Sequence, residues 1–176
     1  MIAGQGTIGL EIMDQLPDID TVIVPLSGGG LLGGVALTLK SISPEVQTIG
    51  VSMDKGAAMV ESLKAGKVVE IIEQPSLADA LIGGLGPKNR FTFKINEKNV
   101  DKTLLVSEQE IAMGMTFALE KERLVVEGGG AVGIAAVLAG KVTGMGRKTV
   151  LVISGSNVGL STLLACAQET YPYQGN

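Results

Sequence analysis

The chain has 176 residues, of which 45% are hydrophobic and 18% charged, and its net charge at pH 7 is −4. This length fits one domain with a buried core, and the lack of a basic surplus argues against nucleic-acid binding. One cysteine and no histidine exclude a disulfide scaffold, a histidine-based metal site and a catalytic triad that uses histidine.

Strand and helix patterns alternate along the chain, which predicts an α/β fold with a mainly parallel sheet flanked by helices. The predicted strands are 21–26, 46–52, 68–72, 99–106 and 148–153. The predicted helices are 7–16, 31–42, 57–64, 77–81, 107–122, 131–141 and 158–170. We expect Thr7 to cap the first helix, and Ser107 with Glu110 predicts a capping box. No repeat or linker is evident, so residues 1–176 are expected to form a single α/β unit.

A glycine-rich stretch follows the first buried strand directly. Ser27 comes first, then Gly28, Gly29 and Gly30, then a segment of helical character that begins at Leu31. Glycines let the backbone approach an anion closely, and a helix N-terminus adds the positive end of its dipole. This arrangement predicts a phosphate-binding loop to which Ser27 adds a hydroxyl donor. The alternative is a tight turn in which the glycines only let the helix pack on the sheet.

The same glycines leave a second phosphate motif open. Gly28, Gly30 and Gly33 meet the spacing Gly-x-Gly-x-x-Gly of dinucleotide-binding proteins. That motif also needs an acid near the end of the next strand to bind a ribose, and Asp54 stands close to that place. A mononucleotide P-loop does not fit, because no lysine follows Gly30.

Three turns combine a polar residue with glycine after strands or apolar runs. They begin at Ser27, Glu127 and Ser154. In an open parallel sheet such turns gather at the carboxyl edge, so we expect the three to share one pocket. Glu127 has an alternative role, in which it caps a helix or pairs with another group on a surface turn. Ser154 has the alternative role of capping the helix that follows it. A further glycine cluster at 83–86 predicts a hinge, a wall against a ligand, or a plain loop.

Several stretches together carry a resemblance to a known family. In chain order they are IAGQGTI at 2–8, VPLSGGGL at 24–31, LAD at 77–79, EGGGAVG at 127–133 and ISGSNV at 153–158. With them the chain resembles the carboxy-terminal half of the threonine/serine dehydratase group of pyridoxal-phosphate enzymes, which includes serine racemase and has the tryptophan-synthase-β fold type. The stretches 53–59 and 126–128 are most similar to the hydroxyectoine-utilisation dehydratase branch.

The resemblance implies pyridoxal 5′-phosphate as cofactor and a role for each matching residue. The cofactor phosphate would be bound by Ser27, Gly28, Gly29, Gly30 and Leu31. Ser154 matches the serine that meets the pyridine nitrogen, and Glu127 matches an acid near the cofactor face. Asp79 matches an Ala-Asp-Gly motif in which Ala80 here replaces the glycine. Ser52 and Ala58 stand where relatives carry metal ligands, so we expect no metal site.

The resemblance implies that the family's Schiff-base lysine, in a Ser-x-Lys-type motif, belongs to the amino-terminal half, which the matching stretches do not include. We therefore expect no catalytic residue within the chain, which would be a fragment, an internal start, one piece of a split enzyme, or a degenerate protein. A homo-oligomer or a partner chain would supply the missing half. No regulatory domain is expected after residue 176.

The function that the resemblance implies is that of an ammonia-lyase. Such an enzyme removes water and ammonia from a β-hydroxy amino acid such as threonine or serine and leaves a 2-oxo acid. We expect a cytoplasmic protein with a small-molecule substrate, no membrane span and no nucleic-acid partner. A nucleotide-binding domain and a non-catalytic assembly subunit remain the alternatives.

Overall fold

The computed structural model describes residues 1–170, and the last six residues of the predicted 1–176 unit lie outside this part. Its four strands, all parallel, are β1 (Thr21–Pro25), β2 (Gln47–Met53), β3 (Lys102–Val106) and β4 (Thr149–Leu151). They form one sheet in the order β3-β2-β1-β4. The helices are α1 (Ile2–Gln15), α2 (Gly30–Ile42), α3 (Ala58–Ala65), α4 (Phe91–Asn99), α5 (Glu108–Glu120), α6 (Gly128–Leu138) and α7 (Leu160–Thr170). The predicted α/β class with a parallel sheet flanked by helices is confirmed.

The side chains of β1 alternate between two hydrophobic cores. Val22 and Val24 pack into a core with residues of α2 and α3, against which α1 and α4 also pack. Ile23 points the other way, into a core with residues of α5, α6 and α7. A strand covered by helices on both faces is apolar throughout, which explains why this stretch of the sequence is an unbroken hydrophobic run.

The capping box at the start of α5 is confirmed. The Ser107 hydroxyl accepts a hydrogen bond from the Glu110 N–H at 3.3 Å, and the Glu110 carboxylate accepts one from the Ser107 N–H at 2.7 Å. Lys141 adds a hydrogen-bonded ion pair to Glu110 at 2.6 Å. These contacts fix where α5 begins, directly after β3.

Two local predictions are wrong. Residues 68–72 form no strand, because β3 and β4 occupy the edges of the described sheet and this segment pairs with neither. It crosses the surface as extended chain, with the Val69 N–H bound to the Ser62 hydroxyl. Thr7 does not cap α1, which already begins at Ile2. Its hydroxyl donates instead to the Gly4 carbonyl at 2.9 Å.

Several boundaries also shift. Helix α4 was not predicted, since its buried face carries Asn96 and Asn99 beside Phe93, and two buried amides break the apolar periodicity. The strand expected from residue 99 therefore begins only at Lys102. The helix expected at 77–81 is one 3₁₀ turn, Asp79–Leu81, and α6 begins three residues early, at Gly128. Among residues 1–170 we find no helix with the length and apolar character needed to cross a bilayer.

Candidate functional site

The glycine loop lies at the carboxyl end of β1, where it leads into α2. Helix α2 begins at Gly30, and the residue before it, Gly29, has φ = 79°. This left-handed conformation is strained for residues with a side chain. The first intrahelical bond runs from the Gly33 N–H to the Gly29 carbonyl at 3.0 Å. Within residues 1–170 the backbone N–H groups of Ser27 through Leu31 donate to no protein acceptor. The loop thus presents a row of unused donors at a helix N-terminus, where the macrodipole is positive.

These donors face a cavity of about 570 Å³ at the same edge of the sheet. All of the predicted site residues except Glu127 line it. Ser154, which follows β4, contributes from the turn next to β1 in the sheet order. The strand order therefore explains the meeting of two turns that lie 127 positions apart in the sequence, because β1 and β4 pair directly.

Neither of the two serine hydroxyls that line the cavity is used within the described part of the chain. The Ser27 and Ser154 side chains make no hydrogen bond to another residue of 1–170. Ser154 does not cap α7, which begins only at Leu160. Both hydroxyls are therefore available to a ligand, as donors or as acceptors.

Glu127 lies beside the cavity and holds the turn that carries Ser154. Its carboxylate accepts a hydrogen bond from the Asn157 N–H at 2.9 Å, and its own N–H donates to the Gly155 carbonyl at 3.1 Å. A Cβ atom at Gly155 would lie 2.3 Å from the carboxylate. The structure thus gives Glu127 the pairing role that the sequence left as the alternative. The predicted direct contact with the cofactor stays a prediction.

The glycines that follow Glu127 serve close packing of α6. A Cβ atom at Gly128 would lie 2.1 Å from the Leu77 carbonyl oxygen, and one at Gly130 would lie 2.9 Å from that of Gly155. The first turn of α6 therefore fits between two loops, and Gly129 reaches the cavity.

Sequence reasoning missed part of the cavity wall. Gly84 and Leu85 line it, so the glycine cluster at 83–86 forms a wall, one of the roles considered for it. Asn89 and Thr92, at the start of the unpredicted helix α4, also line the cavity. The Asn89 side-chain oxygen, Oδ1, accepts from the Phe93 N–H at 3.2 Å, and this Asn four residues before an apolar residue is the signal that would have indicated a helix start.

No charged side chain lines the cavity among the described residues. The carboxyl groups with shifted pKa values belong to structural contacts elsewhere. Burial acts to raise the pKa of Asp101, but hydrogen bonds from Lys40 and Thr48 outweigh it and hold that pKa below its ordinary value. Burial raises the pKa of the Cys166 thiol, a buried residue of α7. A bound anion would thus meet N–H dipoles and hydroxyls, with neither a cationic side chain nor a repelling carboxylate in the described lining.

The cavity fits the phosphate end of pyridoxal phosphate. Its unused N–H groups are the donors that a phosphate needs, and the open space beside Gly28, where a Cβ atom would have no neighbour within 4 Å, lets an anion approach the backbone. The Ser154 hydroxyl lines the same cavity. The donor set therefore fits a phosphate group.

The other charged residues considered from the sequence do not line this cavity. No lysine of residues 1–170 lines it, and neither does Asp54 or Asp79. Asp54 follows the end of β2 with its backbone N–H bound to the Val106 carbonyl, and the Asp79 carboxylate accepts from the Ala80 N–H at 2.7 Å. Ser52 is buried, with its hydroxyl bound to the Met53 sulfur. Over residues 1–170 we find no group of three or more Asp, Glu, Cys or His side chains placed to hold a metal ion.

Comparison with known proteins decides the family. The family model described as pyridoxal-phosphate dependent enzyme matches residues 1–155, which include the glycine loop and Ser154. The chain belongs to this family. The expected family and its cofactor, pyridoxal phosphate, are thereby confirmed, and the match over the loop favours the pyridoxal-phosphate interpretation over the dinucleotide one.

Individual proteins similar to this chain support the family assignment. A Sinorhizobium fredii protein provisionally described as a threonine dehydratase is 50% identical over 158 residues, which cover 90% of this chain and 48% of that protein. The L-threonine ammonia-lyase of Thermotoga maritima is 44% identical over 163 residues, 93% of this chain and 40% of the enzyme. The structure of maize serine racemase superposes with a TM-score of 0.85 at 34% identity, over 96% of this chain and 53% of that one.

This last likeness confirms the predicted fold type. The same comparisons show that the chain spans about half the length of the relatives it matches.

Proposed function

We propose that this chain is the cofactor-phosphate-binding portion of a pyridoxal-phosphate-dependent threonine/serine ammonia-lyase. The observation that carries the proposal is the row of unused N–H donors from Ser27 to Leu31, which face a cavity shared with the Ser154 hydroxyl. The identities of 50% and 44% to a provisional threonine dehydratase and an L-threonine ammonia-lyase support the reaction class.

In this proposal the loop binds the phosphate mainly through backbone groups. The N–H groups from Gly28 to Leu31 donate to phosphate oxygens, and the N-terminus of α2 adds the favourable end of its dipole. The Ser27 hydroxyl donates one further hydrogen bond. Because no lysine or arginine lines the cavity among the described residues, binding depends on loop geometry more than on net charge.

Ser154 would orient the other end of the cofactor. A hydroxyl donates a hydrogen bond to a pyridine nitrogen without giving up its proton, since its own pKa is far above that of the ring. Pyridoxal phosphate, when bound, supplies an electron sink for bonds at the substrate Cα, and an unprotonated ring is a weaker sink that suits β-elimination over transamination. Glu127 would act indirectly, because its carboxylate holds the 154–157 turn in place.

The proposal also concerns the remainder of the enzyme. The relatives are about twice as long as this chain, and no lysine of residues 1–170 faces the cavity. We therefore propose that the covalent chemistry and the amino-acid substrate site need a further polypeptide segment, supplied in cis or by a partner subunit. The free Cys166 accords with the reducing cytoplasm proposed for such an enzyme.

Titration of the 176-residue chain with pyridoxal 5′-phosphate tests the proposal. Absorbance reports binding, inorganic phosphate competes for the loop, and borohydride reduction followed by intact mass detects a covalent adduct. Binding that phosphate displaces, without an adduct, is the expected result. A stoichiometric adduct on one lysine would contradict the need for a second segment.

Matched ligands separate the alternatives. Pyridoxal, which lacks the phosphate, should bind far more weakly than pyridoxal phosphate. Equal affinity for the two would refute phosphate binding by the loop. Tighter binding of a dinucleotide than of pyridoxal phosphate would favour the dinucleotide interpretation, and circular dichroism on the same samples would show that the chain is folded.

A further inference from the structure

We propose that Asn96, on the opposite side of the glycine loop from the cavity, is a positioning residue that sets the loop for phosphate binding. This inference rests on the proposed function, since it concerns how the same loop is held. Asn96 is fully buried in α4, and its side-chain amide donates to the Gly29 carbonyl at 2.8 Å. The two residues are 67 positions apart in the sequence.

The bond fixes the orientation of one peptide group. In a trans peptide the carbonyl and the following N–H point in opposite directions, and the described residues contain no cis peptide bond. The Gly29 carbonyl is directed into the protein, where it accepts from the Gly33 N–H and from Asn96. The Gly30 N–H on the same peptide is therefore directed outward, to the cavity.

Asn96 also selects glycine at the loop. A Cβ atom at Gly29 would lie 2.4 Å from the Asn96 amide nitrogen, and one at Gly33 would lie 3.0 Å from it. The amide thus occupies the space that a side chain at either position would need. The Asn96 side chain therefore accounts for two features together: the glycine with a left-handed φ at position 29, and the close approach of α4 to the loop.

Packing alone does not explain an asparagine at this position. The Asn96 side-chain oxygen, Oδ1, is buried and has no hydrogen-bond partner within the described residues. A buried acceptor without a partner destabilises a fold, so an apolar residue of similar size would pack at lower cost. The Asn96 amide offsets this cost with two hydrogen bonds, which it donates to the Gly29 and Thr92 carbonyls.

The second of these bonds connects the loop to a neighbouring part of the cavity wall. Thr92 and Asn89 both line the cavity and hydrogen-bond to each other through their side chains, at 2.7 to 2.9 Å. A hydrogen-bonded path therefore runs from Asn89 through Thr92 and Asn96 to Gly29. It joins the loop to the part of the cavity wall that precedes and begins α4.

The test compares two asparagines of the same helix. Asn96→Leu removes the bond to the loop, whereas Asn99→Leu removes a buried amide that donates only to the Ile95 carbonyl, at 2.8 Å. Each variant of the 176-residue chain is titrated with pyridoxal 5′-phosphate and with pyridoxal. We expect Asn96→Leu to raise the Kd for pyridoxal phosphate about tenfold and to change that for pyridoxal by less than about twofold. Asn99→Leu should leave both constants near the wild-type values.

The difference between the changes in Kd for the two ligands distinguishes a positioning role of Asn96 from a general effect on stability. Equal weakening of both ligands by Asn96→Leu, or no weakening of either, would overturn the inference. A wild-type chain that binds the two ligands equally would refute the proposed function itself, which is a different outcome. Should the leucine variant not fold, Asn96→Ala gives the same comparison, because it only removes atoms and cannot overpack the core.

Discussion

The Glu127 carboxylate accepts a hydrogen bond from the Asn157 N–H at 2.9 Å, so an acid at the start of α6 holds the turn that carries Ser154. The backbone reinforces this contact, since the Glu127 N–H donates to the Gly155 carbonyl. The segment between α5 and α6 and the turn that follows β4 are thereby held together.

Replacing the Glu127 carboxylate should loosen that turn. Glu127→Ala removes the acceptor of the Asn157 N–H, and we expect a loss of roughly 0.5–1.5 kcal/mol in the free energy of unfolding. Weaker binding of pyridoxal phosphate should accompany it, because the position of Ser154 is no longer fixed. Urea unfolding and cofactor titration measure the two effects. Glu122→Ala, at an exposed acid nearby, is the control, and an equal response of both variants would contradict the prediction.

Alanine substitutions at two neighbouring glycines of the loop should change the stability of the fold by different amounts. Gly29→Ala forces a side chain into φ = 79° and places Cβ 2.4 Å from Asn96 and 2.6 Å from the Met59 methyl. We expect a loss of about 1–3 kcal/mol in unfolding free energy. Gly28→Ala meets no atom within 4 Å and should change it by less than about 0.5 kcal/mol. Thermal unfolding of both variants checks this, and similar melting temperatures would show the loop geometry to be wrong.

Ser154 should matter for the cofactor and not for the fold. It is exposed, and its hydroxyl has no hydrogen-bond partner within residues 1–170. Ser154→Ala should therefore leave the melting temperature unchanged and weaken pyridoxal-phosphate binding by about the 0.5–1.5 kcal/mol of one hydrogen bond. Ser156→Ala, two positions along the same exposed turn, is the matched control. If the control weakens binding as much as Ser154→Ala, the serine has no specific role.

The capping box of α5 should make stability depend on acid pH. Burial acts to raise the pKa of Glu110, but the hydrogen bonds from Lys141 and Ser107 outweigh it, so the pKa lies below the ordinary value of a glutamate. Because the folded pKa is below the unfolded one, this contribution is fully present above the unfolded value and is lost as the pH falls through the folded value.

Glu110→Gln provides the measurement. At neutral pH we expect the variant to unfold more easily by roughly 1 kcal/mol. The difference from wild type should shrink as the pH falls below the ordinary glutamate range. Urea unfolding across that range tests it, with Glu122→Gln as control. A difference that is independent of pH would show that the carboxylate charge makes no contribution.

The strand and helix pattern of this chain was largely predictable from local sequence. Buried parallel strands are apolar throughout, so β1 and β2 were visible as β-branched runs, and Ser107 with Glu110 marked the start of α5. Helix α4 was not visible, because its buried face carries two asparagines whose partners are backbone carbonyls. The mostly β-branched residues 68–72 looked like a strand but find no strand to pair with among residues 1–170.

The glycine loop and the other stretches that carry the family resemblance determined, from sequence alone, the family and the cofactor, and they indicated Ser154 and residues 27–31 among those that line the cavity. Which of those residues meet was decided by the tertiary structure, because the pairing of β1 with β4 brings Ser154 to the loop. The contact of Glu127 with the 154–157 turn and that of Asn96 with Gly29 are equally matters of tertiary structure. Each joins residues at least 30 positions apart, and side-chain hydrogen bonds over such separations leave no periodic pattern in the sequence.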